Sequence, residues 1–257
     1  MKDFVLFLLF AIVFNITKIF GQEPQNYVTK VEYGISSRYQ NVIDTNKIKD
    51  REINSFLLTI IESSDPTKVA FTLLYNTQES FFYSNYSMSS DNIIDPNIFV
   101  INAKNIGEVY VNNTSGEVLN FRKSYNKSFL IDYGISDESW FISDKTKIIS
   151  SFNCYKATRS FKTLDSHDNI VEITVEAWFA PDINSNFGPL WFNGLPGLII
   201  ELHFGNFIYY AKKIEKVQTE FNKISKPTKG TKISQIEYLN WLKDIDKSDN
   251  EKMLEKN

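Results

Sequence analysis

The sequence predicts a mainly β fold: one large curved antiparallel sheet, a meander either open or partly closed into a barrel, with a helix at the C-terminus. Three observations carry this expectation. Short runs in which apolar and polar residues alternate follow one another from Tyr27 onward, with turn-forming residues between them, as in a meandering antiparallel sheet. Aromatic residues make up 15% of the 257 residues, with 21 Phe and 13 Tyr, a bias toward strands. Apolar spacing becomes helical only near the C-terminus.

The chain opens with a different kind of segment. Lys2 and the unbroken apolar run from Phe4 to Phe14 have the form of a secretory signal peptide, too short and too poorly flanked for a membrane span. Gly21 supplies the small residue a signal peptidase needs, which places the cut between Gly21 and Gln22. Residues 1–21 are therefore the expected leader, 22–247 one β-rich domain, and 248–257 a polar tail. Nothing later is apolar enough to cross a bilayer, so the mature chain is expected to lack a transmembrane segment and to be soluble where it is exported.

Tyr27 to Tyr39 reads as the first strand, with Tyr27, Val31, Tyr33 and Ile35 on one face. Ile53 to Ile61 reads as a strand buried on both sides. Asp65-Pro66 turns the chain into Val69 to Tyr75, and Ser80 to Tyr86 is an aromatic strand. Asp91 to Lys104 has no clear period, and Asp95-Pro96-Asn97 marks a loop. Strands resume at Gly107 to Val111, Val118 to Arg122 and Phe129 to Tyr133. Trp140 to Ser143 is a short strand ended by Asp144-Lys145.

Ile148 to Phe161 and Ile170 to Phe179 then form a hairpin. Its second strand has an apolar face of Val171, Ile173, Val175, Ala177 and Phe179, with Glu172, Thr174, Glu176 and Trp178 opposite. Pro181 to Gly194 is a long loop. Leu198 to Phe204 and Phe207 to Val217 pair around Gly205-Asn206, which suits a turn with positive φ. Ile233, Ile236, Leu239, Leu242 and Ile245 recur at helical spacing behind Ser234, giving a capped helix from about Ser234 to Asp246.

Charge and residue chemistry exclude more than they assign. The net charge of −3 gives no basic face for nucleic acid. The Lys-rich stretch 212–232 contains Glu215 and Glu220 and reads as a solvated strand edge and linker. Cys154 is the single cysteine, so no internal disulfide forms, and a small buried hydrophobe is its expected role. There are two histidines, His167 and His203, no HExxH motif and no Cys pair, so the usual zinc signatures are missing and no cofactor is implied. Glu201 and His203 share a strand face and are the weak metal candidates, with solvated side chains as the simpler reading. Glu172 and Glu176 stand about 13 Å apart on one strand, too far for a glycosidase pair. Trp178, Phe187, Trp191 and Phe192 are candidates for a recognition surface, or for a lid folded back over the core.

The string from Gly188 to Glu201, GPLWFNGLPGLIIE, resembles the naming motif of the GLPGLI family of Bacteroidetes exported proteins, through Gly188, Pro189, Gly194, Leu195, Pro196, Gly197, Leu198 and Ile199. Trp140, the block Cys154 to Thr158, and Ala177 to Ile183 resemble the stretches that precede it. Two departures are visible: Asn184 where the family tends to have Pro, and Ser151-Phe152 where a Gly-aromatic pair is usual. The resemblance implies a periplasmic or outer-membrane-associated protein without a settled biochemical role, some members being companions of outer-membrane, TonB-linked uptake systems. Backbone physics accounts for the motif without chemistry: Leu195-Pro196-Gly197-Leu198 fits a type II turn that launches a strand, and Gly194 allows a close backbone approach. A phosphate cradle does not fit, because a strand and not a helix follows. Two function classes remain: a non-enzymatic module that carries an apolar ligand or docks to an envelope partner, and an enzyme with an unrecognised, metal-assisted hydrolytic site near Glu201 and His203.

Overall fold

Alternating sequence becomes sheet along most of the chain. The computed structural model describes residues 27–38, 64–86, 97–134, 139–165 and 169–254. The leader, the cut after Gly21, the Ile53 to Ile61 run and His167 lie outside the described residues. The strands are β1 (Tyr27–Ser37), β2 (Phe71–Tyr75), β3 (Glu79–Ser84), β4 (Glu108–Asn112), β5 (Glu117–Ser124) and β6 (Lys127–Asp132). They continue with β7 (Phe141–Ile149), β8 (Phe152–Leu164), β9 (Ile170–Ala180), β10 (Leu198–Phe204), β11 (Phe207–Gln218) and β12 (Thr231–Ser234). Helix α1 spans Ile98–Ile106 and α2 spans Gln235–Leu254.

All twelve strands share one open sheet, in the order β12-β6-β5-β4-β3-β2-β1-β11-β10-β9-β8-β7. Neighbours are antiparallel except β12, which runs parallel to β6 with Thr231 opposite Phe129. A purely antiparallel sheet was expected. The exception arises because β12 arrives by a long crossover, the route a parallel pair requires. The Lys-rich stretch is thus divided. Lys212, Lys213 and Lys216 lie on β11, an inner strand between β1 and β10 rather than an edge, and the rest follow in the crossover and β12.

The sheet bends over its length, so that its two limbs face one another. Tyr133, just past β6, stacks on Trp191 at a centroid distance of 4.7 Å and lies 6.2 Å from Phe161 of β8. Gln235 at the start of α2 donates to the carbonyl of Lys162 in β8 (2.7 Å). The core fills the bend. Val31, Tyr33 and Ile35 of β1 are fully buried, whereas Tyr27 at the strand's end is 55% exposed despite sharing their face. Phe71 stacks on Phe82 and meets Tyr209 edge-on, both at 5.4 Å.

Three elements differ from expectation. The stretch to Lys104 that showed no clear period holds most of α1. Asn97 caps it, accepting from the N–H groups of Phe99 and Val100, and Phe99, Val100, Ala103 and Ile106 are buried at helical spacing. The short strand Trp140 to Ser143 is the start of a longer β7. Asp144-Lys145 does not turn the chain; a register irregularity between Ile142 and Thr146 absorbs the extra residues. The turn comes at Ser150 and Ser151, both with positive φ (48° and 74°), the geometry of a primed hairpin without its usual Asn or Gly.

Helix α2 is capped as expected. The Ser234 N–H donates to Glu237 Oε2 (2.8 Å) and the Glu237 N–H to Ser234 Oγ (3.3 Å), a capping box. It runs on to Leu254, beyond the expected end at Asp246. Of the expected stripe Leu239 is buried and Ile233 and Leu242 pack beside it, while Ile236 is left 40% exposed; Tyr238 and Trp241, outside the stripe, widen the docked face onto Phe129 of β6.

Candidate functional site

Two places gather functional side chains, one on each face of the sheet. The first grows out of the loop between β9 and β10. Phe187, Leu190, Trp191 and Phe192 are all buried there, and so are Gly188 and Pro189. The Ile199 N–H donates to the Phe187 carbonyl (3.1 Å) and the Gly194 N–H to the Asn186 carbonyl (2.8 Å), which fastens both ends of the loop. Trp191 and Phe192 then join Phe161 and Phe204 in a ring cluster with centroid spacings of 5.3 to 5.8 Å.

The four aromatics considered for a recognition surface therefore do not stand together on one exposed surface. Phe187, Trp191 and Phe192 are folded back over the core, and Trp178 is buried on the opposite face. Hydrophobic burial explains this, since each large ring removes apolar area from water that the loop would otherwise expose.

The Leu195–Leu198 segment also has a different turn from the one expected. The Gly197 N–H donates to the carbonyl of Leu195 (2.9 Å), a three-residue turn centred on Pro196 rather than a four-residue type II turn. Gly197 has φ +157°, and a Cβ placed there would lie 2.3 Å from the Ala180 carbonyl oxygen. The close approach belongs to Gly197. At Gly194, φ is +92° and a Cβ would meet nothing.

Above the ring cluster a cleft of about 840 Å³ opens between the limbs, a volume within the range of small-molecule sites. Tyr133, Trp140, Phe161 and Trp191 supply aromatic wall. Arg159 of β8 supplies positive charge, Lys162 contributes the carbonyl that Gln235 holds, and Asn113, Asn193 and Gln235 supply amides. No Asp, Glu, His or Cys is among the described residues that line it. The Arg159 guanidinium lies 5.3 Å from the ring centroids of both Trp140 and Phe192. Trp140 donates its indole N–H to the Asn193 carbonyl (2.8 Å). The indole nitrogen of Trp191 is buried and has no hydrogen-bond partner among the described residues. Burial pushes the Tyr133 phenol well above its ordinary pKa, so it stays protonated.

The second place is the outer face of β7 to β10. Glu201 Oε1 accepts from Lys147 Nζ (2.7 Å) and contacts His203 Nε2 (2.6 Å). Beside it, Glu176 accepts from Lys156 (2.5 Å) and from the Trp178 indole N–H (2.9 Å), and Lys147 Nζ stands 4.3 Å over the Trp178 ring. Glu201 and His203 are thus brought together, but in a network and not as freely solvated groups: their side chains are only 18% and 16% exposed. Burial pushes the Glu201 carboxyl up, yet the hydrogen bonds from His203 and Lys147 outweigh it and leave it below the usual carboxylate range. No cluster of three His, Cys, Asp or Glu occurs among the described residues. Cys154 is buried near this network.

The cleft was not visible in the sequence. Its walls come from Tyr133, Arg159 and Trp191, which the fold joins from β6, β8 and the β9–β10 loop. Arg159 carries a usable signal, since it interrupts the apolar face of β8 between Ala157 and Phe161.

Comparison with known proteins gives a local match to one family model and a likeness of fold. A family model described as a protein of unknown function (Porph_ging) matches residues 160–201. The matched stretch runs from β8 through the aromatic loop to Glu201 and includes the whole Gly194 to Ile199 motif. No curated protein matches the chain. Among solved structures, PNGF-II in a C2 crystal form is 14% identical with a TM-score of 0.48, over 84% of this chain. PNGF-II in a P21 form is 14% identical with a TM-score of 0.50, over 83% of this chain. This chain spans 33% of the length of each. At that identity the likeness is one of fold alone.

Proposed function

We propose that this chain is an exported binding module of the cell envelope that holds a ligand in the cleft between its limbs without transforming it. The observation that carries this reading is the make-up of the cleft: four aromatic walls, the Arg159 guanidinium and several amides, with no carboxylate, imidazole or thiol among the described lining residues to act as base or nucleophile. Export rests on the leader-like residues 1–21, and a place in the periplasm or at the outer membrane rests on the resemblance to the GLPGLI family. We assign the chain to that family on the motif at Gly188–Ile199, which lies within the stretch the unknown-function model matches. Docking to an outer-membrane, TonB-linked partner is the family-based alternative to a free ligand, and the cleft favours the ligand.

The metal-assisted reading is less well supported, because Lys147 already occupies a lone pair of Glu201 beside His203. Native mass spectrometry of the protein exported in its own host tests the choice. A bound organic mass released on unfolding is the expected result. A bare polypeptide that retains stoichiometric metal after dialysis would overturn it.

A further inference from the structure

We propose that the outer part of the β8–β9 hairpin is a flap over the cleft, latched to α2 by Gln235, and that its opening controls entry to and exit from the site. This rests on the cleft being a ligand site and adds how that site is regulated. Strand pairing is the first argument. β7 accompanies β8 only as far as Thr158, and β10 accompanies β9 only from Glu176 to Ala180. β8 and β9 stay paired well beyond those points, from Arg159 with Val175 out to Leu164 with Ile170. Among the described strands this stretch is a two-stranded arm that projects past the sheet. A ribbon of two strands is marginal by itself, so its position depends on what its inner face touches. Both flanking strands carry a register irregularity close to the base of the arm, between Ile142 and Thr146 on β7 and between Ile199 and Glu201 on β10. Such irregularities bend and twist a strand locally.

The arm supplies one wall of the cleft, through Arg159, Phe161 and Lys162. Phe161 seats it against Trp191 (5.5 Å) and Phe204 (5.3 Å) of its own limb and against Tyr133 (6.2 Å) of the other. Lys162, Ile170, Glu172 and Thr174 are exposed. The latch comes from the opposite limb, where α2 is fixed. Ser124 and Tyr238 share a hydrogen bond of 2.6 Å, and Tyr238 and Trp241 pack on Phe129. The first residue of α2, Gln235, then reaches the arm and donates from Nε2 to the Lys162 carbonyl (2.7 Å). That bond is exposed, so water replaces either partner when it breaks and no buried polar group is orphaned. The closed arm and an arm swung away from α2 therefore differ by a small free energy, as a gate requires.

Hydrogen exchange and probe kinetics on the full protein test this with two substitutions. Gln235→Ala removes the latch and keeps the Ser234–Glu237 capping box. Thr174→Gly loosens the arm from its exposed face, outside the cleft lining. Amides of residues 159–164 and 170–175 are expected to exchange faster than those of β11 in the wild type. In both variants they are expected to exchange about fivefold faster still, the factor carried by one net hydrogen bond. N-Phenyl-1-naphthylamine, followed by stopped-flow fluorescence, is expected to enter and leave about fivefold faster in both variants, with entry and exit accelerating together. Arm exchange that matches β11 in the wild type, or that neither substitution changes, would overturn the flap. Faster arm exchange with unchanged probe rates, or with faster exit alone, would overturn the gate and leave a ligand cleft. Absence of saturable probe binding would overturn the ligand reading beneath it, and the exchange result would still decide the flap.

Discussion

The phenol of Tyr33 donates a buried hydrogen bond of 2.6 Å to the carbonyl oxygen of Ile199, 166 positions further along the chain. Strand β11 lies between the two strands, so the bond crosses it and ties the middle of the sheet to the end of the naming motif. Burial, with Tyr75 nearby, holds the phenol well above its ordinary pKa and keeps it a donor. Tyr33→Phe is expected to cost about 1–2 kcal/mol, the net loss of one buried hydrogen bond, and to lower the melting temperature by about 3–6 °C. A thermal melt indistinguishable from wild type would show that the bond carries no net stability.

The two motif glycines are predicted to differ. Gly197→Val pushes a side chain into the Ala180 backbone and is expected to cost about 3 kcal/mol or more. Gly194→Ala meets no atom and pays only for positive φ, about 1–2 kcal/mol. Urea denaturation of both variants checks the order; the reverse order would place the tight approach at the wrong glycine.

Acid should expose the outer network. Glu201 and Glu176 titrate below the usual carboxylate range in the folded protein. Their contribution is therefore present above the unfolded value of about 4.3 and is lost as pH falls through the lower folded values. Stability measured from pH 6 downward should hold until about pH 4.5 and then drop, and Glu201→Gln should flatten part of that drop. A profile in Glu201→Gln that still falls as steeply would remove Glu201 from the account.

Cys154 is fully buried and burial pushes its thiol pKa up, so the thiolate is scarce. Reaction with a thiol reagent is expected to be slow in the native protein and fast in urea. Cys154→Ala is expected to cost about 1 kcal/mol, as for trimming a small core side chain. Fast native labelling would contradict the burial.

Export predicts a definite N-terminus. Protein recovered from the host envelope should begin at Gln22, and an intact mass that includes Met1 would end the leader assignment.

The sheet was legible wherever alternation and burial agree, as in Val175, Ala177 and Phe179 of β9 or Leu198 to Phe204. It was not legible where a local signal was weak or misleading. Helix α1 hides behind Pro96, although Asn97 and the spacing of Phe99, Ala103 and Ile106 were present. The Ser150-Ser151 turn lacks the glycine that announces such turns, and Asp144-Lys145 mimics a turn while being absorbed in β7. β12 is four residues long and depends on β6 for its existence. The site failed for a different reason. Tyr133, Arg159 and Trp191 are far apart in sequence, and only the bend of the sheet brings them to one cleft. The pair that spacing did find, Glu201 and His203, does meet, but with Lys147 as the third member.

A crystal structure of the protein purified from its own host tests the central claim most directly. The account predicts ordered density for an organic group in the cleft, packed against Tyr133 and Trp191. A cleft holding only water in protein that is otherwise folded as described, with the bound group elsewhere, would contradict it.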